Sequence, residues 1–311
     1  MSVNMKGKSI TSILDLSVEE IEEIFAVTDI LKLERMRGVP HCVLPGRVLG
    51  MIFEKPSTRT RVSFETGIYQ LGGTGLYLSS KDLQLGRGET IADTARVLSR
   101  YLDCIMARVF SHNTILELAK YATVPVINGL CDMEHPCQAL ADLYTVKEKF
   151  GSLKGRKLAY IGDGNNVCHS LMYICAKLGV NFAGAHPNAF FPKDEVIENT
   201  KKLTHMSEST IELGTDPISA VSGADVIYTD VWVSMGDEAE KEKRLKQFRP
   251  FQLNSKLLKH AEKHAIVLHC LPAHRGEEIT DEVIDGPHSA VWDEAENRMH
   301  VQKALMALII R

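Results

Sequence analysis

The sequence predicts an α/β fold built from two doubly wound parallel sheets, and three observations carry that expectation. Short β-branched runs alternate with amphipathic helical patterns along the chain. The alternation restarts after the charged stretch KEKFGSLKGRK at residues 147–157. At 311 residues the chain is long for one compact core and suits two domains of roughly 150 residues each. A first domain over 1–150, joined by the C-terminal helix at about 290–311, and a second over 151–289 are expected, with a cleft between them.

The elements follow in order. Ser17 and Glu20 form a capping box at the start of an amphipathic helix, and Gly38 closes its run IEEIFAVTDILKLERMRG. Strands are expected near 47–53, 74–79, 104–109 and 124–130, each followed by a helical stripe, the last being HPCQALADLYTVKEKFG. The second half places strands near 157–162, 181–186, 210–214, 225–230 and 265–270. The final segment, EAENRMHVQKALMALIIR, is helical and is expected to pack back on the first domain.

Composition narrows the function classes. The chain is 44% hydrophobic and 24% charged with a net charge of −4, so it has no global attraction for nucleic acid or an acidic membrane surface. No apolar run approaches membrane-spanning length, and the N-terminus MSVNMKGKSI lacks the apolar core of a signal peptide, which together point to a cytoplasmic protein. The seven cysteines form no C-x-x-C pair, against both a disulfide framework and a zinc ribbon.

In an open parallel α/β sheet, ligands bind beyond the carboxyl ends of the strands. Polar residues cluster at those positions. FEKPSTRTRVSF, residues 53–64, puts Ser57, Thr58, Thr60, Arg59 and Arg61 at a helix start, where the macrodipole is already positive. An anion such as a phosphoryl group would satisfy these donors and remove the electrostatic conflict, and Arg108, which closes the mostly apolar strand CIMARV where packing does not call for a charge, strengthens that case. The competing reading has the arginines turned to solvent or paired with Glu54 or Glu65. In EHPCQALADLY, Pro136 sets a helix start, so His135 sits at the positive end as a neutral donor suited to polarising a carbonyl, with Gln138 one turn on; simple helix capping is the alternative.

IGDGNNV has two glycines after a strand, but Val167 replaces the third glycine and the next strand ends in His186, not an acid, so it reads as a tight turn presenting Asn165 and Asn166. Asp230 ends the strand DVIYTD before the small-residue loop Ser234-Met235-Gly236 and suits an amino group; Asp225 and the run GDEAEKEKR fit solvated surface. Cys270, in IVLHCLPAHRG, could be nucleophile, metal ligand or steric lining, although His135, Cys137, His269, Cys270 and His274 show no recognised zinc spacing.

The blocks STRTR (57–61), HPCQALADLYT (135–145), DVWVSMG (230–236), HCLP (269–272) and EAENR (294–298), in this order, resemble the aspartate/ornithine transcarbamylase family, with SMG and HCLP similar to its ornithine branch. The resemblance implies a carbamoyl-phosphate domain and an ornithine domain. It implies that Ser57, Thr58, Arg59, Thr60, Gln84 and Arg108 hold the phosphate, and that His135, Pro136, Cys137, Gln138, Cys270, Leu271 and Arg298, with Thr60 and Arg108 again, surround the carbamoyl group. Asn166, Asp230, Ser234 and Met235 would hold ornithine, with Arg59, Arg108, His135 and Cys270 closest to the chemistry. It further implies a homotrimer or an assembly of trimers, no metal and no organic cofactor. The expected reaction carries the carbamoyl group of carbamoyl phosphate to the δ-amine of ornithine in arginine biosynthesis. A catabolic role, a related acceptor (aspartate, acetylornithine or putrescine) and a non-enzymatic binding role are the alternatives.

Overall fold

The computed structural model describes residues 3–81, 83, 88–233 and 241–310. The chain divides into two compact units, Met1–Leu140 with Glu296–Arg311, and Ala141–Ala295. Both divisions fall inside helices, so chain continuity between units is helical at each crossing.

The first unit opens with a short 3-10 turn and α1 (Val18–Met36), whose capping box uses Ser17 and Glu20 as expected. Next come β1 (Val48–Phe53), α2 (Thr58–Gln70), β2 (Thr74–Ser79), α3 (Ile91–Leu98), β3 (Cys104–Arg108), α4 (His112–Tyr121), β4 (Val126–Leu130) and the start of α5 (Pro136–Phe150). The strands form an all-parallel sheet in the order β2-β1-β3-β4. Its core is an apolar cluster that includes Ile52, Ile105, Ala107, Ile115, Leu118 and Val126. The N-terminal segment adds an isolated bridge, Ile10 to Ile127, beside β4.

The second unit continues through β5 (Lys157–Ile161), α6 (Asn166–Lys177), β6 (Asn181–Ala185), α7 (Asp194–Ser207), β7 (Ile211–Gly214), α8 (Pro217–Val221), β8 (Val226–Thr229), α9 (Lys241–Phe248), α10 (Ser255–Leu258), β9 (Ile266–Leu268), α11 (Asp281–Ile284) and the first turn of α12 (Val291–Ile309). Its parallel order is β7-β6-β5-β8-β9 around a core of Ile161, Ala183, Ile227, Val267 and their neighbours.

Each sheet has the strand reversal of a doubly wound fold: β1 lies between β2 and β3, and β5 between β6 and β8. The carboxyl ends on either side of a reversal diverge and leave a crevice, which is where ligands sit in such sheets. The rest of α12 packs back on the first unit, as expected: the Gly7 N–H donates to Ile309 O at 2.8 Å, and Lys6 Nζ caps Ala307 O and Ile310 O at 2.8 and 2.6 Å. A lysine on the last carbonyls of a helix satisfies acceptors that have no partner within the helix.

Candidate active site

In the first unit, the residues beyond β1 and β3 converge. Ser57 caps α2, its hydroxyl accepting the Thr60 N–H at 3.3 Å. Thr60 is fully buried, and its Oγ1 accepts a hydrogen bond from Arg298 Nη2 at 2.9 Å. Arg298 comes from α12, so the C-terminal helix delivers a buried guanidinium to the start of α2. Arg108 ends β3 with only 6% of its surface exposed.

His135 directly precedes α5 and is buried. Its pKa lies well below the ordinary imidazole range, first because it is desolvated and then because Arg298, Arg108 and Arg59 act on it. The neutral imidazole expected from the sequence is therefore present, but the helix terminus is not the main cause: burial and three guanidinium groups are. Gln138 lies fully buried one turn along α5. What results is a pocket rich in fixed positive charge whose histidine is held uncharged, a combination that suits a phosphoryl oxygen beside a carbonyl.

Two side chains near this cluster point elsewhere. Arg61 does not join it: its Nε meets Glu65 Oε2 at 3.2 Å, one turn along the same helix, and its guanidinium lies 4.1 Å from the centre of the Tyr77 ring, half exposed. Position 61 falls a little over half a turn from position 59, so the two side chains leave α2 on different faces. The Cys137 thiol points inward, donating to Asn128 O at 3.5 Å, and burial pushes its pKa to about 12. Any share of Cys137 in ligand binding must come from its backbone.

The turn that carries His135 is braced by a residue the sequence did not single out. The buried carboxylate of Glu134 accepts the Ser12 hydroxyl and, at 3.0 Å, the Ile13 N–H, both from the N-terminal segment. Its only sequence signal is that it is the acid opening EHPCQ, which is indistinguishable from surface charge.

In the second unit, Asp230 follows β8 and is 5% exposed. Its Oδ1 accepts the Val231 N–H at 2.8 Å and the Cys270 thiol at 3.0 Å, while Oδ2 accepts Asn165 Nδ2 at 2.7 Å. Asn165 also caps α6, taking the Val167 and Cys168 N–H groups on its Oδ1, so it braces Asp230; Asn166 opens the helix beside it. Gly164 explains the glycine pair of this turn: a Cβ there would meet Pro192 N at 2.3 Å. Close backbone packing against residues 191–192, and not a nucleotide phosphate, requires the glycine. Arg244 of α9 ties the same region together, donating to Trp232 O at 2.6 Å and pairing with Asp163 while lying over the Phe190 and Phe248 rings. Asp225, for which solvated surface is one reading, is 8% exposed and binds Arg156, His264 and the Lys157 N–H; Arg244, the last residue of the run GDEAEKEKR expected to be solvated, is buried.

Burial, and then the Asp230 charge, hold the Cys270 thiol well above its ordinary pKa, so it is a protonated donor and not a thiolate nucleophile. Leu271 adopts φ 58°, in the left-handed region, and its N–H donates to His269 Nδ1 at 2.9 Å; the Leu271–Pro272 peptide is cis. The ring proton of His269 therefore sits on Nε2, facing Glu278 Oε1 at 3.0 Å. Asp230, His269 and Cys270 offer metal-ligating atoms within 4.8 Å of one another. Both ring nitrogens of His269 and the thiol are already committed to the hydrogen bonds just described, so this donor set fits a metal poorly. Gln84, Ser234 and Met235 lie outside the described residues.

Comparison with known proteins bears on both units. Residues 8–148 match the family described as aspartate/ornithine carbamoyltransferase, carbamoyl-P binding domain, and residues 154–309 match its Asp/Orn binding domain. Ornithine carbamoyltransferase of Thermococcus kodakarensis is 58% identical over 310 residues, covering 100% of this chain and 98% of that protein. The anabolic ornithine carbamoyltransferase of Pyrococcus furiosus is 56% identical over the same length, with the same coverage. The solved structure of ornithine carbamoyltransferase from Pyrococcus furiosus superposes with a TM-score of 0.97 at 56% identity, covering 99% of this chain and 98% of that one. That from Gloeobacter violaceus gives 0.88 at 43% identity, covering 99% and 100%.

Proposed function

The chain belongs to the aspartate/ornithine carbamoyltransferase family, and from that premise we propose how its side chains divide the work of carbamoyl transfer. The enzyme transfers the carbamoyl group of carbamoyl phosphate to the δ-amine of L-ornithine, giving L-citrulline and phosphate. We assign it to arginine biosynthesis, in keeping with the relative named anabolic. The first unit serves as the carbamoyl-phosphate domain and the second as the ornithine domain.

The observation that carries the reading is the convergence of Arg59, Arg108 and Arg298 on a buried, neutral His135. Carbamoyl phosphate carries up to two negative charges and an electrophilic carbonyl. Ser57, Thr58, Thr60 and Arg59 at the start of α2, with Arg108, hold the phosphate; Gln84 is assigned to the same group on sequence grounds alone. His135, Gln138 and Arg298 donate toward the carbonyl oxygen, where charge gathers as the amine attacks, and each preformed donor of this kind contributes roughly 3 kcal/mol. Pro136 fixes the helix start, and the Cys137 backbone completes the turn.

Ornithine reacts through a free amine, whose pKa is near about 10.4 if it resembles lysine, so a proton must leave before attack. Asp230, with Asn166 and, on sequence grounds, Ser234 and Met235, orients the amino-acid end. The Cys270 thiol and the Leu271 backbone line the transfer point, and the departing phosphate takes the proton. The protonation of Cys270 favours this direct transfer over a covalent thioester.

We further infer a homotrimer. The edge strand β2 exposes Leu76 and Tyr77, and Val62 and, at 77% exposure, Tyr69 of the adjoining α2 line a shallow groove with Gly73, Thr74 and Gly75; an apolar strand edge of this kind is normally covered. A cytoplasmic location is supported by all seven cysteines being free thiols.

A citrulline assay run beside aspartate, acetylornithine and putrescine tests the acceptor, with ornithine as the only good substrate expected. Equal or better use of another amine would overturn the assignment. Sedimentation tests the trimer.

A further inference from the structure

Glu294 lies in the first turn of α12 and is fully shielded from solvent. Its carboxyl group receives donors from two neighbouring strand ends: the Tyr228 hydroxyl reaches Oε1 at 3.2 Å, and the His269 backbone N–H reaches Oε2 at 2.8 Å. A third hydrogen bond joins it to the side chain of Asp142, which is itself fully buried on α5. Ionised carboxylates only accept, so two carboxyl groups can share a hydrogen bond only when one carries a proton. Desolvation, and then the adjacent Asp142 charge, push the Glu294 pKa well above the carboxylate range, so the pair holds one proton between its two carboxyl groups.

His269 is the residue before Cys270. Its ring is gripped on one side by Glu278 and on the other by the Leu271 N–H, so its backbone N–H is the remaining handle on the turn, and Glu294 holds it. Asp142 from α5, Tyr228 from β8 and His269 after β9 are the titratable groups facing Glu294, while Asp230 and Cys270 lie near enough to act on Tyr228.

We propose that Glu294 is a positioning residue for the Cys270–Leu271 turn and that it works in a carboxyl pair with Asp142 that shares one proton. This rests on the reading of that turn as lining the transfer point. The side chain touches no reacting atom; it fixes the backbone from which the thiol and the Leu271 peptide project. A shared proton suits the task because it binds the two carboxyl groups to each other while Glu294 accepts from His269, which two ionised carboxylates cannot do.

Substitution distinguishes the acid from the ion. Glu294→Gln keeps an oxygen for the His269 N–H and supplies an amide N–H for Asp142, and the rotatable Tyr228 hydroxyl can turn to accept from the same amide. Its kcat/KM for ornithine should stay within about threefold of wild type. Glu294→Ala removes all three contacts. It should lower kcat/KM for ornithine by at least about tenfold while leaving the affinity for a stable phosphonate mimic of carbamoyl phosphate unchanged. The infrared difference spectrum, wild type minus Glu294→Gln at neutral pH, should contain a protonated-carboxyl C=O band. A glutamine variant as damaged as the alanine one, or no such band, overturns the shared proton; unchanged ornithine kinetics in Glu294→Ala overturn the positioning role. Should Glu294→Ala fail to fold, the glutamine variant and the infrared band decide the question. Unchanged ornithine kinetics in Cys270→Ala would instead undermine the placing of the turn at the transfer point, and the infrared result would still stand.

Discussion

Replacing Thr60 with valine removes one oxygen from the first unit and leaves the shape of the side chain almost intact. In the native fold that oxygen accepts Arg298 Nη2 at 2.9 Å, with both residues buried. A hydrogen bond to a charged donor is worth about 1.5–3 kcal/mol, and the bare guanidinium N–H left behind carries a comparable desolvation cost. If Arg298 aims at the carbamoyl oxygen, loss of its anchor should appear in the transition state and lower kcat/KM for carbamoyl phosphate about 10- to 150-fold. Thr60→Ser supplies the internal control, because it keeps the hydroxyl and loses only a methyl group; it should recover most of the activity. Steady-state kinetics with both substrates varied, together with urea unfolding of each variant, separate the catalytic effect from a loss of stability. The reasoning fails if Thr60→Val matches wild type, or if Thr60→Ser is as impaired as Thr60→Val.

Arg59→Ala should raise the carbamoyl-phosphate requirement and cut turnover by two or more orders of magnitude, since a charge meeting the phosphoryl group is lost; near-normal kinetics would remove Arg59 from the phosphate site. Cys270 should react with iodoacetamide at neutral pH far more slowly than the exposed Cys42, because its raised pKa leaves less thiolate, and Asp230→Asn should speed it; mass spectrometry after timed labelling reads both. His186, whose pKa burial lowers to about 4, is neutral when folded and takes up a proton on unfolding below about pH 6.5. Its contribution is therefore fully present above pH 6.5 and is lost as the pH falls toward 4, by up to about 3 kcal/mol, so His186→Gln should flatten the acid side of a stability profile measured by urea unfolding. Arg244→Lys should raise the ornithine KM without weakening carbamoyl-phosphate binding, because the single nitrogen of lysine does not span the Trp232 O and Asp163 contacts that Arg244 makes through separate Nε and Nη2 atoms.

Much of this protein was legible in one dimension because the signals are local. Strand runs such as RVLGMIF, the Ser17–Glu20 capping box and the strand-end position of Arg108 each depend on residues a few places apart, and all three stand in the structure. The ordered blocks from STRTR to EAENR likewise carried the family. Arg59 and Arg61 show the limit: the same residue type, two places apart, diverges because one faces His135 and the other finds Glu65 and Tyr77. Glu134, Arg244 and Glu294 were invisible as bracing residues, since an acid or arginine in a helical or loop segment looks like solvated charge until the partner that buries it is known.

The order of elements, the two parallel sheets and the chemical kinds of side chain at their carboxyl ends are thus properties of the sequence, because periodicity, caps and turns are written within a few residues. Protonation is different. That Cys270 keeps its proton, that Glu294 shares one with Asp142, and that burial and three arginines act on the neutral His135 all follow from desolvation and from charges brought in by distant segments. Desolvation and Coulomb interaction act through space, so the tertiary structure alone decided them.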